Sequence, residues 1–427
     1  MTKHLIATAV LFAAASSAAA QSLSQRISSA PDGLVQFSFA ARAGVCGNGR
    51  TYISTGPNSY IGSFYGNMSD IARTDPCANG PVRVVLNRAS KEVIDVHTYV
   101  GPLDKTPGAA DLGNVSARDA ADYLLSLAAK TDGRPGRDAI LPAMIADSAV
   151  VSAQLLALAR DQSRPRETRQ SAINWLGRES EERANGVSSR IASSLADIAR
   201  DATDNQQVRQ SAMNVLSRLD RGDGIPALID ISRSTADVWL AKQSMATLAR
   251  SGDPRARTYL RTAATRTDIG EDIRAAALRG IGREYATSED ASFLRSLYPK
   301  LTTDGQREVV VSALAEMGGT ENVRWLGALV RDESAPIKDR RRALQTLVHA
   351  GASSNDLITL YDASKDQQLK ESLINAFVQN GDKASIDKLI SIAKTEEDRT
   401  LRRRSISSLS RSEDPRVKLL LQELVER

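Results

Sequence analysis

The sequence predicts a mainly α chain, a stacked solenoid of helix pairs preceded by a small β-rich domain with a disulfide. Three observations predict it. One short pattern recurs eight times between Arg169 and Leu409. The residues ahead of it alternate instead of following a helical period, and they hold both cysteines of the chain, Cys46 and Cys77. Aromatic residues are only 4% of the chain, which suits helical bilayers built on Ala, Leu, Ile and Val better than a β-sandwich.

The repeat is the firmest of the three. Each copy has a first position, a small or apolar residue three places on, and a large apolar residue seven places on. The sets are Arg169/Ala172/Leu176, Arg209/Ala212/Leu216, Ala241/Ser244/Leu248, Arg274/Ala277/Ile281, Arg307/Val310/Leu314, Arg340/Ala343/Leu347, Lys370/Leu373/Phe377 and Arg402/Ser405/Leu409. Most steps between first positions are 32 or 33 residues. A period of that length is a supersecondary unit that buries its apolar face only by stacking on copies of itself. At about 100° per residue, offsets 0, 3 and 7 fall within roughly 60° of one another, so they form one buried stripe. Each unit reads as helix A, turn, helix B, with the pattern on helix B. Examples of helix A are Ser188–Ala202, Ala256–Thr265, Ala291–Leu301 and Ser385–Thr395. Gly252, Gly318, Gly351 and Gly381 stand eleven places past their first positions, where a left-handed helix cap favours glycine. Asp414 to Val425 reads as a last A helix that closes the stack.

Ahead of the repeats the chain divides further. Lys3, the apolar run Leu5–Ala15 and Ala18-Ala19-Ala20 have the layout of a secretory signal peptide over residues 1–20, with cleavage leaving Gln21. The residue after that cleavage point is Gln21 and not cysteine, so a lipid anchor there is not expected. No later run reaches the roughly 18 apolar residues of a membrane helix, so the mature protein is expected to be soluble and exported, periplasmic or secreted. In an oxidising compartment a Cys46–Cys77 disulfide is the leading reading, worth roughly 3–4 kcal/mol of chain entropy. The alternative is a metal pair, but two cysteines with no nearby histidine are poor zinc ligands.

Residues 21–110 form the β-rich domain. Alternating runs lie at Leu34–Phe39, Tyr60–Tyr65, Val82–Leu86 and Val93–Val100, and the last two read as a hairpin with a longer loop over Asn87–Glu92. Residues 111–147 read as capping helices. Ser116 is the N-cap of a helix through Ala129, and a second follows near Asp138–Ala146. Residues 148–427 are the solenoid.

The stretches Gln207-Val208-Arg209-Gln210-Ser211-Ala212, Asp272-Ile273-Arg274-Ala275-Ala276-Ala277 and Ser412-Glu413-Asp414-Pro415-Arg416-Val417 resemble HEAT repeats, closest to the short HEAT-like type of phycobilin lyases and many bacterial scaffolds. The resemblance covers roughly residues 148 to 427. It implies an α-α superhelix with B helices lining the concave side. It implies little about activity, because this architecture serves many tasks.

Two columns of side chains are candidates for specific work. The first positions Arg169, Arg209, Arg274, Arg307, Arg340, Lys370 and Arg402 lie beside the buried stripe and need partners. Asp204, Asp237, Asp304, Asp366 and Asp398 stand three to five places ahead of their first positions. Together they predict an internal structural ladder tying turns to neighbouring B helices. Nine places past the first positions stand Arg178, Arg218, Arg250, Arg283 and Arg411, with Glu316, His349 and Gln379 interrupting the series. One reading is a basic groove for an acidic protein segment or an envelope polyanion. The favoured reading is that arginine in a last helical turn meets the negative end of the helix dipole and aids solubility.

Charge and motifs narrow the function. The chain carries 56 basic and 51 acidic side chains, net +5, too mild over its length to argue for nucleic acid. His97 and His349 have no second ligand at metal spacing. The His-Glu pairs of HEAT-repeat hydroxylases of the deoxyhypusine type are missing, as are nucleophile-elbow, P-loop and dinucleotide patterns. No catalytic, metal or cofactor residue is assigned. The expectation is a non-enzymatic exported scaffold or adaptor that binds a protein, possibly an acidic one, along its concave face. A HEAT-like lyase or maturation factor is the alternative. A third reading makes the β domain a ligand-binding module, with a cleft beside Cys46–Cys77.

Overall fold

The computed structural model describes residues 21–56, 59–62, 77–102, 106–182, 187–234, 236–410 and 414–425. The expected signal peptide, the end of the expected run Tyr60–Tyr65 and Arg411 fall outside them. The chain divides into two compact units, one ending at Glu179 and the other beginning at Ser180. No helix among the described residues is long and apolar enough to cross a membrane.

The first unit opens with helix α1, Leu23–Ser29, held by a reciprocal capping box between Ser22 and Gln25. Strands β1 (Gly33–Phe39), β2 (Cys46–Gly47), β3 (Tyr52–Gly56), β4 (Ser59–Gly62), β5 (Val82–Ala89), β6 (Glu92–Val100) and β7 (Ala110–Asn114) follow. They form a four-stranded sheet in the order β6-β5-β1-β7 and a three-stranded sheet β2-β3-β4. Strand β1 pairs antiparallel with β5 and parallel with β7. Its alternation places Val35, Phe37 and Phe39 in the core, where Phe37 meets Tyr123 edge-on at 6.3 Å. The β5–β6 hairpin is tighter than the sequence suggested. Pairing continues through Asn87 and Arg88 across a bulge, and the turn is only Ser90-Lys91, both at positive φ. Arg88 explains the extension. It is 3% exposed and donates to the Pro31, Ser28 and Lys91 carbonyls, so the hairpin end is fastened to the chain leaving α1.

The disulfide joins Cys46 to Cys77 across 31 residues, and Gly47 and Ala78 exchange backbone hydrogen bonds beside it. Gly47 is glycine because a Cβ there would lie 2.5 Å from the Val100 carbonyl oxygen. The glycine-rich segment that reads as a loop therefore includes a strand pressed against the end of β6.

Helices α2 (Ala117–Lys130), α3 (Arg134–Asp138), α4 (Ile140–Met144), α5 (Ser152–Arg160) and α6 (Arg166–Glu182) come next. Ser116 caps α2 through the Asp119 amide, as the sequence predicts. Gly133–Gly136 reads as a break in the sequence, but it starts α3 instead, with Pro135 in the first turn, where no amide donor is needed.

The second unit alternates A and B helices: α7 (Val187–Arg200), α8 (Gln206–Leu216), α9 (Ile225–Ser234), α10 (Val238–Arg250), α11 (Pro254–Thr265), α12 (Glu271–Ile281), α13 (Ser288–Leu297), α14 (Asp304–Met317), α15 (Thr320–Arg331), α16 (Ile337–His349), α17 (Ser354–Ala363), α18 (Gln367–Asn380), α19 (Lys383–Thr395), α20 (Arg399–Leu409) and α21 (Pro415–Val425). Each even-numbered B helix packs on its own A helix and on the next B helix. This is a two-layered solenoid. B helices pack on one another more closely than A helices do, the relation expected of the inner layer of a curved stack. The opening pattern is its core: in all eight copies the residues at offsets 3 and 7 are at most 5% exposed.

Candidate functional site: the arginine columns and two clefts

Offset 0 lies at the seam between the layers. Arg169, Arg209 and Arg340 each direct Nε at the carbonyl ten residues earlier, on Ala159, Ala199 and Val330, at 2.9, 2.9 and 3.0 Å. Those carbonyls belong to the last turn of the preceding A helix, which has no partner within its own helix. Arg307 and Arg402 instead donate from Nη1 to carbonyls six residues back, those of Leu301 and Glu396, at 3.1 and 3.0 Å. The remaining guanidinium nitrogens reach forward to the next repeat. Arg209 meets Asp237 at 2.7 Å, Arg307 meets Asp339 at 2.8 Å, and Arg340 approaches Asp366 at 3.8 Å. Lys370 meets Glu396 at 3.4 Å and sits over the Tyr361 ring.

The acids do double work. Asp237 and Asp366 also cap their own B helices, through the Leu240 and Leu369 amides. Burial opposes the charge on Asp237, but the Arg209 guanidinium and the Leu240 amide outweigh it and hold its carboxyl below the usual range. Asp339, 2% exposed, accepts from Tyr298 at 2.8 Å as well as from Arg307. Burial and that hydrogen bond push the Tyr298 phenol well above its ordinary value.

Arg274 departs from the ladder. Its Nε is buried with no hydrogen-bond partner among the described residues. One repeat ahead the N-cap is Thr303, and Asp304 turns to Arg307 and Lys338. Asp204 is buried and accepts from the Asn205 amide. Asp398 caps α20, while Lys370 turns to Glu396.

Offset 9 lies where B helices end. Arg178, in the first unit, stacks over Trp175 at 4.8 Å. In the second unit Arg218, Arg250 and Arg283 are exposed. Asn214 accepts from Arg218 through its carbonyl at 3.3 Å and from Arg250 through its side chain at 3.4 Å. Arg250, Arg283 and Glu316 line one cleft of about 950 Å³, formed by the ends of α10, α12 and α14 and the starts of α13 and α15. Gly282 allows that wall, because a Cβ there would lie 2.5 Å from the Ala313 Cβ. The cleft is not uniformly basic. Glu284 and Glu316 share the lining, and Arg295 is neutralised by Glu321 at 3.0 Å.

The first unit has a smaller cleft, about 330 Å³, between β3, β6, α3, α4 and α6. Tyr52, Tyr99 and Trp175 give it an aromatic lining, with Arg50 and His97 among its polar groups. It adjoins the Cys46 strand through β3. His97 is held by Asp95 at 3.0 Å.

Sequence reasoning missed a third group. Arg341, Arg342, Arg403 and Arg404 are exposed on the outer face of the B layer. The signal was in plain sight, as the triplets Arg340-Arg341-Arg342 and Arg402-Arg403-Arg404 at the same register two repeats apart.

No protein-family profile and no curated protein matches the chain. Among solved structures it is similar to Kap121p (12% identity, 69% of this chain and 37% of that one, TM-score 0.39). It is also similar to importin beta (15% identity, 69% and 46%, TM-score 0.36). A third is human deoxyhypusine hydroxylase (15% identity, 61% and 94%, TM-score 0.26). Likenesses this distant carry no functional argument, and the solenoid is assigned from its own stacking.

Proposed function

We propose that the protein is an exported, non-enzymatic scaffold whose solenoid binds a protein partner along the B-helix side. The observation that carries this reading is the cleft of about 950 Å³ into which three successive repeats deliver their offset-nine residues. A repeat array presents one surface many times, and here that surface is recessed, polar and open to a segment of another chain. Its charge is divided: Arg250 and Arg283 suit acidic groups, and Glu284 and Glu316 suit basic ones. The disulfide fits an oxidising compartment.

Affinity capture from the native envelope fraction, read by mass spectrometry, tests the proposal. Arg218→Glu/Arg250→Glu/Arg283→Glu is expected to lose the proteins that the unaltered chain retains. An unchanged capture pattern at low salt contradicts it.

The first unit supports a second reading. Its aromatic-lined cleft beside the Cys46 strand is of ligand size, which favours a small-molecule module ahead of the solenoid. Native mass spectrometry of the purified protein separates the two: a retained small molecule, lost in Tyr99→Ala, supports this reading, and a clean apo mass removes it.

A further inference from the structure

The outer B face of the sixth to eighth repeats carries a patch that the cleft does not use. Offsets 1 and 2 are Arg341 and Arg342 on α16, and Arg403 and Arg404 on α20. On α18, between them, the same offsets are Glu371 and Ser372. Arg341 leans over α18 to donate to Ser372 Oγ at 3.1 Å. Arg404 leans from the other side to Glu371 at 3.2 Å and Asn375 Oδ1 at 3.3 Å. Arg342 turns the opposite way, to Ser312 Oγ on α14 at 3.3 Å. These contacts place Arg341, Arg342 and Arg404 along one face, and Arg403 is exposed next to Arg404 on α20. Four guanidinium groups stand there against one carboxylate. A guanidinium has five donors, and Arg341 and Arg342 engage only single hydroxyl groups, so both retain donors for an incoming carboxylate.

We propose that this face binds an extended acidic peptide segment of a partner protein, with acidic residues grouped at two places and a neutral stretch between. The geometry sets the spacing. Stacked helices lie about 8–10 Å apart, so α16 and α20 are separated by roughly 20 Å. An extended chain rises about 3.3 Å per residue, so the two acidic groups stand about six residues apart. Glu371 lies under the middle, where its ion pair with Arg404 leaves no free positive charge for an incoming carboxylate. That separates a patterned peptide from a uniform polyanion, whose charge would cross Glu371. This site rests on the reading of the solenoid as a protein binder, but on different residues from the cleft.

The test is fluorescence anisotropy at low salt with the full chain and three labelled probes. The first is a synthetic peptide with two Glu-Glu pairs whose centres stand about six residues apart, with about four neutral residues between. The second is poly-glutamate of equal length, and the third is a dextran sulfate oligomer. The first probe is expected to bind tightest, and Arg342→Glu/Arg403→Glu is expected to weaken it at least about tenfold. Arg342→Lys/Arg403→Lys should restore most of the binding. Arg283→Glu, in the cleft, should leave it unchanged, so failure of the cleft reading and failure of this one are separable. Glu371→Gln should raise poly-glutamate affinity towards that of the patterned probe. All substituted side chains are exposed, and an unchanged urea midpoint verifies the fold. The proposal is overturned by any of three results: no binding of the patterned peptide, equal or tighter binding of either uniform polyanion, or equal loss in Arg283→Glu.

Discussion

The seam between the two helix layers and the outer face of the B layer are built from the same residue type, and they do opposite things with it. At the seam, Arg209 and Arg340 are 4% and 5% exposed, and their donors are spent on helix-end carbonyls and on carboxylates of the next repeat. One residue along, Arg341 is exposed and meets a single serine hydroxyl. A rotation of about 100° along the helix separates a structural arginine from one free to recognise a partner. Composition and net charge therefore say little here, and register says a great deal.

That contrast can be broken in several ways, and the largest effect is expected at the seam. Asp339→Ala removes the acceptor shared by Arg307 and Tyr298 and leaves both the Arg307 Nε and the buried Tyr298 hydroxyl without it, for a combined loss of about 3–5 kcal/mol. Urea unfolding followed by circular dichroism measures it, with the early phase assigned to the second unit by limited proteolysis. A loss below about 1 kcal/mol would show that the ladder is ornamental.

Next is the disulfide. Cys46→Ser/Cys77→Ser should cost about 2–4 kcal/mol in the first unit and nothing in the second. Protease sensitivity that rises across residues 21–179 but not across the second unit is the expected pattern.

Acid is a milder perturbation. Asp290 on α13 is fully buried and accepts from Arg257 and Arg261. Burial works against its charge, but the Thr287 amide and the two guanidinium groups outweigh it and lower its carboxyl below the ordinary value of 3.8. The unfolded chain then binds the proton at higher pH than the folded one does. The contribution is complete above the unfolded value and is lost as pH falls through the folded one. Asp290→Asn should flatten the stability profile below about pH 4, where the unsubstituted chain loses stability fastest. A steeper acid limb in the variant is the opposite result.

The smallest effects are expected on the outer face, where Arg342→Ala and Arg403→Ala should each shift stability by less than about 0.5 kcal/mol.

The architecture of the repeats was legible because a solenoid writes its core at one period, and offsets 3 and 7 are buried in every copy. The ladder was legible only in part. Asp237 and Asp366 stand where sequence spacing puts them, but the carbonyls of Ala159, Ala199 and Val330 have no sequence signature, and they accept as much as the acids do. Arg274 shows the limit in the other direction: it stands at the repeat's first position, yet its Nε is buried without a hydrogen-bond partner among the described residues. The cleft was half legible. Offset nine collected Arg250, Arg283 and Glu316, but its acidic side comes partly from the irregular turn after α12, which no period describes. In the first unit the tight turn at Ser90-Lys91 escaped notice because neither residue favours positive φ, and the burial of Arg88 holds the hairpin closed around them.

The division between inward and outward arginine is tested most directly by two neighbours. The urea midpoints of Arg340→Gln and Arg341→Gln should differ. The first variant leaves the Val330 carbonyl without its donor, removes the positive charge facing Asp366 and loses about 1–3 kcal/mol. The second stays within about 0.5 kcal/mol of the unsubstituted chain. Equal midpoints, or a larger loss at Arg341, would contradict the account.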